Sequence, residues 1–489
     1  MIHFCVTNDN SLIFKHHKNQ ITCKDFYISF DDKVQLLEDD ESLTLFCGIL
    51  WEGTVDEVIR QAIVPNGQFY CISINKSTGI ISGATDVIED FPVYYMIKDD
   101  KVVFTSNLIN IKSTFNKRWI YRCRWGVTWE SFYPPIEGFS NPNSKETILE
   151  NVYRVGSLCY FIYDKVFHYK YYVKPTYYID SFVSKYTFNE TLDISKEILQ
   201  SNIKKVTDQY DNLITMGGTG IDSMVIVGYQ ENIPLISYKG DWWTREVIPK
   251  FLDNQTIFSY TKDEYEKTSI TAGKYWETPW MRYDYTTETC IYREKIDPTS
   301  VILNGTYGDH IYWHEPFIAI AMCIYFYNLP YEKVHSFLED KYCYNPEYIS
   351  ETDYNRIKGE GSFEKAVTSR MYFSSSYLKG LRITGNRLIL SPYIDLRLKT
   401  LLPQSDRDTQ ERSCFEAEIQ KKLVPTHILK FVNKYKIGTE ERSRLFFSKE
   451  ETDLSQSELI DGALHGRFKN PYRKHLKYFI ENYEKKYLS

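Results

Sequence analysis

The chain has 489 residues, a formal net charge of −6 and 10 cysteines scattered along its length. This length suffices for about two to four domains with a buried core, and the weakly acidic balance gives no reason to expect nucleic acid or an anionic membrane as a partner. The absence of any Cys-x-x-Cys pair disfavours a structural zinc site or a disulfide framework and indicates a reducing compartment.

The sequence contains no recognisable targeting or membrane-spanning segment. Residues 1–5 lack the basic stretch and the apolar run of a secretory signal. The most apolar segment, residues 317–327, is too short to cross a bilayer and predicts a buried helix. We therefore expect a cytoplasmic protein without a transmembrane segment.

Residues 1–180 predict a β-rich domain. Short runs of β-branched and aromatic residues alternate with Asp, Asn, Lys and Gly turns, a spacing that is typical of antiparallel sheets. These runs begin at Leu43, Gln68, Val93 and Lys101. The pattern changes between Lys174 and Asn189, which places a domain boundary near residue 180.

Residues 181–489 predict a second domain of the α/β class. Apolar residues at helical spacing in the segment 193–206 indicate an amphipathic helix. Strand and helix signals then alternate, which predicts a parallel sheet with helices on its faces.

A glycine turn follows the strand-like residues 213–216 and precedes an apolar helical run. The turn and the start of the helix contain Gly217, Gly218, Thr219, Gly220, Asp222 and Ser223. Glycine lets the backbone approach an anion, and a helix N-terminus offers N–H groups and a positive dipole end, so the turn suits phosphate. No Gly-Lys-Ser/Thr follows, which excludes a Walker-type loop. Asp222 fits a ligand for nucleotide-bound Mg²⁺, and it fits equally well the capping residue of an ordinary βα turn.

A second apolar strand, residues 301–304, runs into another glycine turn. Gly305 and Gly308 lie in this turn, and Asp309 follows at its exit. Two such turns in one parallel sheet would bring Asp222 and Asp309 to the same carboxyl edge, where ligands of open α/β sheets bind. Two carboxylates beside nucleotide phosphates suit Mg²⁺. Asp309 taken alone also fits a helix N-cap.

Two later segments contain candidate functional residues. Asp395 lies in residues 390–398, a pattern that also fits a helix begun by proline. Lys434 and Lys436 lie after a helical stretch, residues 415–423. A lysine pair is more often a solvated surface than a site.

The two glycine turns and the proline segment, residues 392–395, resemble in their order and spacing the asparagine synthetase family of ATP-pyrophosphatase amide ligases. The family's Ser-Gly-Gly-x-Asp-Ser loop is matched by residues 218–223, its Ser-Gly-x-Gly-x-Asp-Glu segment by residues 304–310 and its Pro-Phe-x-Asp segment by residues 392–395. The resemblance implies a PP-loop (adenine nucleotide α hydrolase-like) parallel-sheet synthetase domain that uses ATP and Mg²⁺.

The resemblance also implies roles for individual residues. The residues of the first turn, with Gly305 and Gly308, would hold ATP and its pyrophosphate, and Asp222 and Asp309 would bind the metal. Lys436, in the segment that matches the family's late Arg-x-Lys motif as residues 434–436, would stabilise the tetrahedral oxyanion or the leaving phosphate. The general-base position of asparagine synthetases falls on Thr306, which cannot take a proton at neutral pH.

The first part of the chain resembles the family's glutaminase-like domain, and this resemblance implies a degenerate Ntn-type β-sandwich. The matching segments begin at Asn66, Thr85 and Phe104. A working glutaminase of this type needs an N-terminal cysteine, whereas position 2 is Ile and Cys5 lies too far along the chain. Thr85 also replaces the family's arginine. We therefore expect no ammonia from glutamine and a domain that serves as a scaffold or binding surface.

Family members that lack this cysteine include β-lactam synthetases and lasso peptide cyclases, in which the attacking amine belongs to the substrate. Residues 308–311, Gly-Asp-His-Ile, are most similar to the lasso cyclase version. The resemblance implies an ATP-dependent ligase that adenylates a carboxylate, releases pyrophosphate and closes a macrolactam in a lasso-type peptide. Its partners would be a peptide or small-molecule carboxylate substrate and a protease that processes the precursor.

Two alternatives remain open on the sequence. One is asparagine synthetase-like amidation of a small-molecule or glycan carboxylate with free ammonia. The other is a catalytically dead homologue that binds a peptide. The β-branched Thr219 in the phosphate turn favours the dead homologue, whereas the retention of both Asp222 and Asp309 favours an enzyme.

Overall fold

The structure, a computed structural model, describes most of the first part of the chain and the sheet of the second part. The described residues are 3–13, 17–86, 90–98, 100–106, 152–156, 158–171, 188–217, 221–229, 233–237, 257–258, 296–305, 308, 316–342, 351–362, 366 and 388–400. Of the helices in these ranges, none is both long and apolar enough to cross a bilayer.

The first part of the chain forms two antiparallel sheets, as the alternation of apolar runs and turn residues predicts. The strands are β1 (Phe4–Thr7), β2 (Asn19–Cys23), β3 (Phe26–Phe30), β4 (Gln35–Glu38), β5 (Ser42–Leu50), β6 (Gly67–Asn75), β7 (Ile81–Thr85), β8 (Tyr94–Lys98), β9 (Lys101–Thr105), β10 (Tyr153–Arg154), β11 (Cys159–Tyr163) and β12 (Phe167–Tyr171). One six-stranded sheet has the order β10-β8-β9-β1-β3-β2, and the other has the order β12-β11-β7-β6-β5-β4.

In the described residues between these strands, the structure has two short helical elements. A 3₁₀ turn, Asn10–Leu12, follows β1, and helix α1 (Val55–Ile59) follows β5. The side chains of Thr54 and Glu57 form a capping box at the start of α1, which satisfies backbone N–H groups that lack a partner within the helix.

The two antiparallel sheets pack face to face through aromatic side chains. Phe104 of β9 stacks on Phe161 of β11 with ring centroids 5.5 Å apart, and Phe4 of β1 contacts Tyr70 of β6 at 4.7 Å. None of these four side chains is more than 1% exposed. Burying an aromatic side chain contributes about 1.5–3 kcal/mol, so these rings supply a large share of the stability of this region.

The second part of the chain forms a parallel sheet with helices. Its strands are β13 (Leu213–Gly217), β14 (Leu235–Ser237), β15 (Ile257–Phe258), β16 (Val301–Asn304) and β17 (Ile389–Leu390). The described helices are α2 (Phe188–Gln209), α3 (Ile221–Tyr229), α4 (Pro316–Tyr325), α5 (Tyr331–Tyr342), α6 (Glu351–Gly359) and α7 (Leu396–Thr400). The amphipathic helix predicted in residues 193–206 is the core of α2, and the apolar helix predicted in residues 317–327 is α4.

The order of the parallel strands creates a topological switch point. The order is β15-β14-β13-β16-β17, and every neighbouring pair is parallel. From β13 the chain moves outward through β14 to β15 and then returns to place β16 on the other side of β13. Ligands of open α/β sheets bind in the crevice at the carboxyl ends of the strands on either side of such a point.

Helix α2 contacts the antiparallel sheets. Its buried residues recur at helical spacing and include Leu199, Ile203 and Val206. On the same helix, Lys205 donates a hydrogen bond to the carbonyl oxygen of Trp51. Just after it, the hydroxyl of Tyr210 donates to the carbonyl oxygen of Gly48 at 3.1 Å. The predicted domain boundary near residue 180 lies outside the described residues.

A buried polar cluster lies at the start of β1. His3 is 7% exposed, its backbone N–H donates to Asp31 at 3.2 Å, and its Nδ1 lies 3.3 Å from the hydroxyl of Ser106. Burial, helped by the nearby His17, lowers the pKa of His3 to about 3. Burial raises the pKa of Asp31, so the two shifts oppose each other in their effect on acid stability.

We expect the wild-type protein to lose unfolding free energy more steeply than His3→Gln as the pH falls from about 6.5 towards 3. The unfolded chain takes up a proton on His3 in this range, whereas the folded chain does not, so the difference should grow by about 1.4 kcal/mol per pH unit. Urea denaturation of both proteins between pH 7 and pH 4.5 measures it. His168→Gln, which replaces a 64% exposed side chain, is the control. Parallel pH profiles of wild type and His3→Gln would contradict a neutral, buried His3.

Candidate functional site

The carboxyl ends of β13 and β16 bring the two glycine turns together. β13 ends at Gly217 and α3 begins at Ile221, while β16 ends at Asn304 and continues into Gly305. In the strand register, Met216 is the partner of Asn304. The carboxyl ends of the two strands therefore lie side by side at the switch point.

The second turn packs directly on the first turn of α3. A Cβ atom at Gly305 would lie 2.5 Å from the backbone nitrogen of Ser223 and 2.6 Å from the carbonyl carbon of Asp222. A Cβ atom at Gly308 would lie 2.5 Å from both Cγ and Oδ1 of Asp222. At Gly305 the nearest atoms are backbone, so this position needs glycine for steric reasons, whereas a Cβ atom at Gly308 would displace the Asp222 side chain.

The proline segment reaches the same place from the neighbouring strand. β17 lies beside β16 and leads into residues 391–395. The hydroxyl of Tyr393, whose side chain is fully buried, donates a hydrogen bond to the carbonyl oxygen of Asp222 at 3.2 Å. Three segments that are far apart in the sequence therefore meet at the N-terminus of α3.

This arrangement suits an anion with an associated cation. The N-terminus of α3 carries N–H groups without helical partners and the positive end of the helix dipole. Asp222 and Ser223 are half-buried in the first turn of the helix. The Asp222 carboxylate lies against Gly308 of the second turn.

Of the site residues predicted from the sequence, the structure brings together those that it describes, namely Gly217, Asp222, Ser223, Gly305 and Gly308. The others lie outside the described residues and are Gly218, Thr219, Gly220, Thr306, Asp309, Lys434 and Lys436. Within the described part of the chain, no group of three or more His, Cys, Asp or Glu side chains is placed to hold a metal ion.

Asp395 is a buried structural acid. It is 2% exposed, and its carboxylate accepts hydrogen bonds from the side chains of Asn66, Asn202 and Arg397. It also accepts from the backbone N–H of Arg397 at 2.8 Å, which caps the start of α7. Asn202 did not emerge from the sequence as a candidate. A polar residue at the helical spacing of the buried face of α2 is the signal that could have identified it.

The antiparallel sheets bury the residues at which glutaminase chemistry would be sought. Cys5 is fully buried within β1, and its thiol lies 4.0 Å from the carbonyl oxygen of Leu12. The hydroxyl of Thr85 donates to the carbonyl oxygen of Gly156 at 2.6 Å and accepts from the N–H of Cys159 at 3.1 Å. Thr85 therefore ties the loop before β11 to the end of β7.

A comparison with models of known protein families finds no match for this chain. A comparison with curated proteins finds no match either. The function is therefore inferred from the geometry of the three segments and from their resemblance to known motifs.

We expect Gly305→Ala to lower the free energy of unfolding by about 1–3 kcal/mol, because its Cβ atom would overlap backbone atoms of Asp222 and Ser223. Gly359→Ala, at the end of α6, is the matched control, since a Cβ atom there meets nothing within 4 Å. The control should be neutral or slightly stabilising. Urea denaturation measures both. Equal stability of the two variants would show that the second turn does not pack on α3.

We expect no hydrolysis of glutamine by the wild-type protein, because the Cys5 thiol is buried in the sheet. Glutamate release from glutamine measures it. Cys71→Ala, which removes another fully buried thiol, controls for loss of packing. Glutamate release that Cys5→Ala abolishes and Cys71→Ala retains would contradict this expectation.

Proposed function

We propose that the protein is an ATP-dependent carbon–nitrogen ligase that adenylates a carboxylate and lets an amine attack the activated acyl group. The observation that supports it is the convergence of the two glycine turns and the Tyr393 segment at the N-terminus of α3. These segments meet at the switch point of a five-stranded parallel sheet. The segments that converge are those that resemble the motifs of asparagine synthetase-type, PP-loop enzymes.

In this proposal the first turn binds the phosphates of ATP, which is a substrate. Glycine at the end of β13 and the N–H groups at the start of α3 would receive the phosphate oxygens. The residues assigned to this role are Gly217, Gly218, Thr219, Gly220 and Ser223, together with Gly305 and Gly308. The tight packing of Gly305 on Ser223 supports the assignment, because it holds the helix N-terminus in one position.

The metal assignment concerns the two carboxylates. Asp222 would hold Mg²⁺ with Asp309, the residue that follows Gly308 in the sequence. The close approach of Gly308 to the Asp222 carboxylate supports this pairing. Mg²⁺, when bound, would neutralise charge on the pyrophosphate.

The proposed reaction has two steps. In the first, a carboxylate oxygen of the acyl substrate attacks the α-phosphorus of ATP, the bond from that phosphorus to the bridging oxygen breaks, and pyrophosphate leaves. In the second, an amine nitrogen attacks the activated carbonyl carbon, loses a proton and displaces AMP, which leaves an amide. The activation is needed because an unactivated carboxylate has no viable leaving group.

The amine belongs to the substrate in this proposal, since Cys5 is buried and the glutaminase segments are degenerate. A peptide N-terminus attacking an Asp or Glu side chain of the same chain would give a macrolactam. Holding both groups on one bound molecule supplies much of the rate, because effective molarities of oriented intramolecular reactions reach about 10⁵–10⁸ M. Lys436 and Lys434 are assigned to oxyanion or phosphate stabilisation, and Thr306 occupies the general-base position of the family but cannot take a proton at neutral pH.

We expect Mg·ATP to raise the melting temperature of the wild-type protein, because a ligand that binds only the folded state stabilises it. Asp222→Asn, which keeps the size of the side chain that packs on Gly308, should weaken Mg·ATP binding by at least about tenfold, equivalent to ~1.4 kcal/mol. Asp309→Asn should behave in the same way. Asp208→Asn, whose side chain is 61% exposed on α2, is the control. Equal affinity of all variants would contradict the metal assignment.

The catalytic test is release of AMP and pyrophosphate from Mg·ATP, with mass spectrometry of a candidate precursor peptide in the same reaction. AMP together with a peptide product lighter by one water would support the macrolactam. AMP formed only with ammonia and a small carboxylate would replace it with amidation. Absence of nucleotide binding and of AMP with every carboxylate tried would contradict the ligase and favour a peptide-binding protein.

A further inference from the structure

The segment 391–396 joins β17 to α7 and includes the first residue of that helix. It is buried along its whole length. Its backbone forms no strand pairs, so its polar groups must find partners elsewhere. The N–H groups of Ile394 and Asp395 bind carbonyl oxygens within the segment. Four other backbone groups bind side chains of β6, of residues next to β5 and β6, and of α2. We call these side chains and their bonds to residues 391–396 the clasp, and its members are Trp51, Asn66, Gln68 and Asn202.

Side chains beside β5 and β6 bind both ends of the segment. At its start, the Gln68 side-chain oxygen accepts a hydrogen bond from the backbone N–H of Ser391 at 2.6 Å. At its end, Asn66 donates to the Asp395 carboxylate at 2.9 Å and accepts from the backbone N–H of Leu396 at 2.9 Å. Each amide therefore binds specific atoms of the segment, and a shift of the segment along the chain would break these bonds.

The middle of the segment is held in the same way. The indole N–H of Trp51 donates to the carbonyl oxygen of Ile394. From the other side, the amide of Asn202 donates to the carbonyl oxygen of Pro392 at 2.9 Å and to Asp395 at 2.8 Å. The segment is therefore fixed between the antiparallel sheets and α2.

Arg397, which follows the segment, compensates the charge of Asp395. The guanidinium of Arg397 binds the carboxylate at 2.6 Å and reaches Glu52, in the connection after β5, at 3.3 Å. A buried carboxylate that loses one partner stays buried and incompletely hydrogen-bonded. The free-energy cost of that state exceeds the net stabilisation that the lost hydrogen bond had provided. The clasp therefore resists small displacements of the segment.

Tyr393 connects the clasp to the site. It lies in the middle of the held segment, its side chain is fully buried, and its hydroxyl donates to the carbonyl oxygen of Asp222. That carbonyl belongs to the first turn of α3, on which Gly305 and Gly308 also pack. A continuous chain of contacts therefore runs from Asn66 through Asp395 and Tyr393 to Asp222.

We propose that the antiparallel sheets position the N-terminus of α3 through this clasp, with Asn66 and Tyr393 as positioning residues for the site. That the N-terminus of α3 binds a nucleotide rests on the proposed function, whereas its positioning by the clasp does not. The proposal gives the first region a contribution that needs no glutaminase chemistry. It predicts that disturbing side chains next to β6 loosens a helix turn in the parallel-sheet region.

Two pairs of variants test the proposal. Tyr393→Phe removes only the hydroxyl that binds Asp222, and its control Tyr210→Phe removes only the hydroxyl that binds Gly48. Asn66→Leu removes the bonds to Asp395 and Leu396. Its control Lys33→Met removes a contact of 2.7 Å with the carbonyl oxygen of Thr299, before β16 at the opposite edge of the parallel sheet.

Hydrogen exchange without nucleotide is the first measurement. We expect the amides of α3 to exchange about 2- to 10-fold faster in Tyr393→Phe and Asn66→Leu than in wild type, and at the wild-type rate in both controls. If Asn66→Leu accelerates exchange throughout the chain, the smaller change Tyr393→Phe decides. Wild-type exchange of α3 in Tyr393→Phe, or equal acceleration in Tyr210→Phe, would overturn the proposal.

The affinity for Mg·ATP is the second measurement. The positioning role predicts that Tyr393→Phe and Asn66→Leu lose Mg·ATP affinity to a similar extent. The two controls should bind Mg·ATP with wild-type affinity. Faster exchange of α3 with unchanged affinity would overturn the positioning role. A wild-type protein that binds no nucleotide would instead reject the proposed function, and the exchange rates would still decide whether the clasp holds α3.

Discussion

The site depends on two close contacts that glycine residues make with the first turn of α3, one with its backbone and one with the Asp222 side chain. Gly305 lies against the backbone of Asp222 and Ser223, and Gly308 lies against the Asp222 carboxylate. A Cβ atom at either glycine would overlap these atoms, so the constraint is steric. This contact sets the start of α3 relative to β16, and with it the direction in which the N–H groups at the helix N-terminus point.

A buried carboxylate provides the second constraint. Asp395 receives hydrogen bonds from Asn66 beside β6, Asn202 on α2 and Arg397 on α7. A buried charge is tolerated when partners and hydrogen bonds replace the lost water, and here the partners come from three different parts of the fold. The requirement to satisfy one acid therefore joins the antiparallel sheets, the long helix and the last strand of the parallel sheet.

The residues of the antiparallel sheets that resemble glutaminase segments serve structural purposes. Asp86 accepts hydrogen bonds from the backbone N–H groups of Phe69, Asp90 and Phe91 and so joins β6 and residues 90–91 to the end of β7. Gln68 links Asp90 to the proline segment through the two ends of one amide. These polar residues are thus explained by backbone hydrogen bonds and by contact with the parallel-sheet region.

The sequence by itself determined the local elements. Alternation of apolar and turn residues identified the antiparallel strands, and helical spacing identified α2, because these patterns depend only on neighbours along the chain. Glycine spacing likewise singled out Gly305 and Gly308, which pack on the start of α3. Only the tertiary structure decided that β13 lies beside β16 and that Asn66 meets Asp395, which is 329 residues away in the sequence. Such contacts depend on how separate elements pack and on which buried polar groups must satisfy one another, and no local pattern encodes that.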